Sequence, residues 1–200
     1  TKTLRDDLAA ELKEGSRLSI AAACFSIYAF QELKEELQKI EELRFIFTSP
    51  TFTTEKAKKE KREFYIPRLN RERSLYGTEF EIKLRNELSQ KAIARECAEW
   101  IRQKATFKSN ITNEGMLGFI GLDDKSYSPV QGFTTVDLGC ERGNYAYNIV
   151  QKTEAPYSNL YLDLFEGLWK DENKLQDVTD EVIENISAAY AENAPDFIYF

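Results

Sequence analysis

The side chains that could do chemistry in this chain are defined first by one that is missing. Histidine is absent from all 200 residues. Histidine is the usual proton shuttle near neutral pH and a common metal ligand. Its absence excludes Ser-His-Asp triads, Cys-His dyads, histidine zinc sites and phosphohistidine chemistry. Carboxylates and magnesium stay open. Asp123, Asp124, Asp137 and Glu141 are the acids that a metal-dependent nuclease would use. Such a site must bring them together on ions ~3.5–4 Å apart; two adjacent acids at a strand end also read as a turn. The run Gly139-Cys140-Glu141-Arg142-Gly143-Asn144 has the outline of a phosphate loop, but it lacks a third glycine and a helix after it. No G-x-x-x-x-G-K-[ST] occurs, so no nucleotide-binding loop of that kind is present. The three cysteines, Cys24, Cys97 and Cys140, are odd in number and scattered. That pattern predicts reduced thiols and a cytoplasmic setting rather than a disulfide framework.

The other group with chemical potential is basic. Lys56, Lys58, Lys59, Lys61, Arg62, Arg68, Arg71 and Arg73 outnumber Glu55, Glu60, Glu63 and Glu72 between Thr51 and Leu75. Clustered lysine and arginine bind phosphate even on an acidic chain, and Tyr65 and Tyr76 could add stacking. The same alternation of Lys and Glu also makes a solvated helix face. The whole chain carries a net charge of −7. Eleven acids against three lysines after residue 150 account for all of it, so the first 150 residues are near neutral. Asp171–Asp196 is thus a candidate docking face for a basic partner.

These groups must be positioned by elements that the hydrophobic pattern outlines. Lys2–Glu14 reads as an amphipathic helix stopped at Gly15, with Leu4, Leu8 and Leu12 on one stripe. Leu18–Phe30 is apolar on both faces, as a central strand is, and Ser26–Phe30 turns toward the next helix. Gln31–Glu42 reads as a surface helix and Leu43–Thr48 as a strand. Glu79–Lys104 is predicted as a long helix. Thr106–Asn110 and Met116–Leu122 follow as strands joined by a polar turn, then Val130–Leu138 as another strand and Gly139–Asn144 as a turn. Ser158–Trp169, with Leu160, Leu164 and Leu168 four apart, and Val178–Tyr190 are the last helices. Trp100 and Trp169 are expected in the core. The alternation predicts one α/β domain over residues 1–200, a mixed β-sheet flanked by helices. No apolar run approaches the ~18 residues of a membrane span, so no membrane partner is expected.

Lys108–Asn144 resembles the phospholipase D-like fold. That family carries H-x-K-x-x-x-x-D, a short loop, G-S-x-N and a later asparagine. By this resemblance the nucleophilic histidine falls on Met116, the phosphate-binding lysine on Gly118 and the aspartate on Asp123. The glycine falls on Gly132, the serine on Phe133, the asparagine on Thr135 and the later asparagine on Asn144. A thioether and a glycine can neither attack a phosphodiester nor hold its oxygens. The resemblance therefore implies a catalytically degenerate member.

Nearly the whole chain is similar to the N-terminal segment of large prokaryotic superfamily-two helicases of the Swi/Snf-related type. The matching stretches are LSIAAACFSIYAF, RFIFTSPTFT, REFYIPRLNRERSLYGTEFEIKLRNEL, GFTTVDLGCERGN, DVTDEVIENI and the final DFIYF. The resemblance implies a chain that continues past Phe200 into a motor, where ATP and magnesium would bind, with no cofactor in this segment. It implies a non-catalytic module that positions DNA or docks on that motor, and a homodimer as one way of pairing such folds. A metal-dependent nuclease and a pure protein-interaction domain are the alternatives.

Overall fold

The computed structural model describes residues 2–49, 79–143 and 148–191. Its helices are α1 (Leu4–Glu11), α2 (Ile27–Glu32), α3 (Lys34–Leu37), α4 (Glu79–Lys104), α5 (Asn159–Trp169) and α6 (Thr179–Ala191). Its strands are β1 (Arg17–Ala22), β2 (Glu42–Phe47), β3 (Ala105–Asn110), β4 (Phe119–Leu122), β5 (Lys125–Ser128), β6 (Gln151–Thr153) and β7 (Leu175–Asp177). The seven strands form one sheet in the order β6-β5-β4-β1-β2-β3-β7. β1, β2 and β3 are parallel, and β4, β5, β6 and β7 are each antiparallel to their neighbours. The protein is therefore an α/β fold with a mixed sheet flanked by helices.

Local chemistry sets the boundaries. Thr3 and Asp6 form a reciprocal capping box that starts α1 two residues later than the apolar pattern suggested. The helix ends at Glu11 because Leu12 is already extended, and Gly15 (φ 78°) turns the chain into β1. Ser26 caps α2 through the Tyr28 amide, which splits Leu18–Phe30 into strand and helix as expected. The single helix read over 31–42 is not formed. Leu33 leaves helical geometry (φ −120°, ψ 16°), so α2 ends and only the single turn of α3 follows before β2 begins at Glu42.

The two faces of the sheet are unequal. Leu18, Ile20 and Ala22 of β1, Leu43, Phe45 and Phe47 of β2, and Phe107 of β3 point to the larger core, covered by α1, α2, α3, α4 and α6. At its centre Phe25 lies within 5.7 Å, ring centre to ring centre, of Phe45, Phe107 and Phe133. Trp100 is buried as expected; its indole N–H donates to the Leu37 carbonyl (2.9 Å), and Lys104 donates to the Ile40 carbonyl (2.6 Å). Alternation sends Ala21, Ile46 and Phe119 to the opposite face, where α5 packs through Phe165. Trp169, expected in the core, is half-buried and stacks on Phe165. Among the described residues no helix is long and apolar enough to cross a membrane.

Candidate functional site

In sheets with parallel strands, ligands favour the crevice beyond the carboxyl ends, next to the point where the strand order turns back. Here that point lies between β1 and β4. The residues after β1 do not end the sheet but pair with the segment Val130–Leu138, which the sequence pattern reads as a further strand. Ala23 donates to the Gln131 carbonyl (2.7 Å), Phe133 to the Cys24 carbonyl (2.8 Å) and Ser26 to the Phe133 carbonyl (2.9 Å). Val130–Leu138 is thus not a strand. It makes one isolated parallel bridge, Phe25 to Phe133, and then coils. The coil begins because Thr134 and Asp137 bind each other: the Thr134 hydroxyl donates to Asp137 (2.5 Å) and accepts from its amide (3.2 Å). Amides of Leu138, Gly139 and Cys140 then return to Thr134, Val136 and Thr135 carbonyls.

Each aligned position has a defined place. Gly118 has no room for a side chain: a Cβ would sit 1.8 Å from the Val130 carbonyl oxygen, which is backbone and cannot yield. Val130 also donates to the Gly118 carbonyl (3.0 Å), so Gly118 is a contact point between two backbones. Met116 lies outside β4, which begins only at Phe119, and packs with the small cluster under α5. Phe133 is buried on the other face of the sheet and stacks on Phe25. Thr135 is buried and donates to Glu141 (2.5 Å). A Cβ on Gly132 would fall 2.7 Å from the Cys24 sulfur and 2.9 Å from Asp137. The structure thus joins Gly118 to the 130–135 run, but it puts Met116 and Phe133 on opposite faces. Asn144 and the basic group Lys56, Lys58, Lys59, Lys61, Arg62, Arg68, Arg71 and Arg73 lie outside the described residues.

The carboxylates do not converge. Asp123 and Asp124 form the tight β4–β5 turn, with Asp123 at φ 53°. Asp123 accepts from the Arg17 amide (2.9 Å) and the Ser16 hydroxyl (2.9 Å), which fixes it at the start of β1. Asp137 is at the other end, beside Gly132 and Cys24. Six strand residues separate the two ends, roughly 20 Å at ~3.3 Å each. No group of three or more metal-ligating side chains occurs among the described residues.

Electrostatics at the β1 end favour neutral groups. Burial raises the Asp137 carboxyl, although the Thr134 hydroxyl and the Gly132 and Thr134 amides pull it back down. Burial, with the neighbouring Asp137 charge, pushes the Cys24 thiol up to about 11. A thiol so raised is a poor nucleophile at neutral pH. The buried Ser109 hydroxyl, at the end of β3, has no hydrogen-bond partner; this position carries no signal in the sequence. Among the described residues the loop after Val130 is therefore held by its own hydrogen bonds against the β1 end of an α/β sheet. The chain matches no known protein-family model and no curated protein.

Proposed function

We propose that this chain is a phospholipase D-like, catalytically degenerate module of an ATP-dependent DNA helicase, which positions nucleic acid or docks on the motor without doing chemistry. The observation that carries the reading is the Gly118 contact. The position aligned with the phosphate-binding lysine cannot hold even a methyl group, because the Val130 backbone fills it. The position aligned with the nucleophile is Met116, and the chain has no histidine to replace it. What is left to such a module is binding. The basic run from Lys56 to Arg73 is the segment whose composition suits phosphate contact.

The test is binding of the chain to single- and double-stranded DNA across a salt series, beside a Lys58→Glu/Lys59→Glu/Arg62→Glu variant. Micromolar or tighter binding that weakens with salt and fails in the variant supports positioning of DNA. Absence of binding at low salt would sink that half of the proposal and leave docking on protein.

A further inference from the structure

Helix α5 is apolar on the wrong side. Phe165 is its buried residue, with Tyr161, Leu168 and Trp169 packed against the sheet. Yet Leu160 is 74% exposed, Leu164 is 45% exposed and Tyr157, in the turn before the helix, is 78% exposed. A helix apolar all round is normally covered all round. Among the described residues α5 is also the only helix whose buried side chain belongs to the smaller core.

Tyr157, Leu160, Leu164 and Gly167 follow each other at spacings of three, four and three, the seam of a two-helix contact. The seam runs from its bulkiest residue to its smallest. Gly167 is exposed, and a Cβ there would meet nothing within 4 Å. Such an order is complementary to itself when reversed. In an antiparallel pair centred on Leu162, Leu160 meets Leu164 of a second copy and Tyr157 covers the second copy's Gly167. The same reversal brings exposed Glu154, ahead of the helix, to the end where the second copy's exposed Lys170 lies. A patch that pairs with itself is what a two-fold interface requires.

We infer that the outward face of α5 is a homodimer interface, two copies packing their α5 helices antiparallel about a two-fold axis. The inference is independent of the nucleic-acid reading. Three side chains with these exposures offer roughly 350 Å² per copy, taking ~150–250 Å² for a whole large side chain. Both copies together fall short of the ~1,200–2,000 Å² of stable complexes. The dimer is therefore a weak, transient one. Asp163 is exposed and flanks the seam beside the axis, where it meets the Asp163 of the second copy. This repulsion gives the interface a signature that no damage to folding can imitate.

Sedimentation equilibrium of the chain, without nucleic acid, from ~5 µM to ~1 mM is the test. The expected result is a mass that rises with concentration toward twice the monomer. Leu160→Glu/Leu164→Glu should stay monomeric with an unchanged circular dichroism spectrum. Asp163→Asn should dimerise at several-fold lower concentration than the parent. A Tyr157→Cys/Gly167→Cys variant should form an intersubunit disulfide faster than the parent with its three native thiols. A monomer at every concentration, for the parent and for Asp163→Asn alike, would overturn the inference, as would a dimer indifferent to Leu160→Glu/Leu164→Glu.

Discussion

Asp7 shows how one carboxylate on a short helix holds α1 to the edge of the sheet. It accepts from the Tyr127 hydroxyl (2.5 Å) and pairs with Lys2 (2.7 Å) and Lys152 (3.2 Å). Burial pushes its pKa up, but hydrogen bonds from Lys2, Tyr127 and Lys152 outweigh this and hold it at about 2. A carboxyl depressed on folding adds stability that is full above its unfolded value near 4 and is lost as pH falls through the folded value near 2. Asp7→Asn should therefore cost about 1–2 kcal/mol at pH 6, after allowance for solvent screening. The difference between variant and parent should close as denaturant titrations move from pH 4 to pH 2. The Gly118 contact gives a second prediction at this scale. Gly118→Ala drives a methyl into the Val130 carbonyl, so the loss should reach about 3 kcal/mol, near the top of the range for overpacking. Gly118→Lys, which restores the letter of the aligned motif, should lower the melting temperature further and yield no phosphodiesterase activity.

At the scale of elements, α5 is held to the sheet by charge as much as by apolar packing. The Arg44 guanidinium lies over Phe165 (5.2 Å) and Trp169 (5.6 Å), donates to Ser19 (3.2 Å) and pairs with Glu166. Lys108 reaches across to the Trp169 carbonyl (2.8 Å) and sits 4.4 Å from its ring centre. Removing Arg44 loses a largely desolvated cation and its packing together, so Arg44→Ala should cost about 2 kcal/mol. Trp169 emission should shift to the red while Trp100, buried against Phe30, contributes an unchanged background. None of this was visible in the sequence, because cation–aromatic contacts join β2, β3 and α5 across more than sixty residues. The elements with strong local signals were legible: β1, β2, α4, α5 and α6 lie where the apolar pattern puts them. The failures have separate causes. Val130–Leu138 has a strand's composition, but a Thr134–Asp137 hydrogen bond coils it after one bridge. β6 and β7, three residues each, carry too short a pattern to read. The α5 leucines four apart gave the helix but not its orientation: Phe165 and Trp169 take the inward side, and Leu160 faces out.

At the scale of the whole molecule, the charge asymmetry makes the proposed DNA contact a quantitative matter. Net charge of −7 repels a polyanion at long range, and exposed Asp180, Glu181 and Glu184 of α6 belong to the acidic part. Binding must therefore come from local phosphate contacts strong enough to release counterions. For duplex DNA each such contact contributes about 0.9 to the slope of log affinity against log salt. If Lys58, Lys59 and Arg62 each touch a phosphate, reversing them should lower that slope by about 2.7. Removing repulsion is different. Asp180→Asn/Glu181→Gln/Glu184→Gln should tighten binding most at low salt and lose its advantage above ~0.2 M, where the Debye length falls below ~8 Å and distant charges are screened. The two variants thus move salt plots in distinguishable ways. Equal slopes for the parent and the basic-run variant would mean that those three side chains face solvent or protein, whatever the absolute affinity.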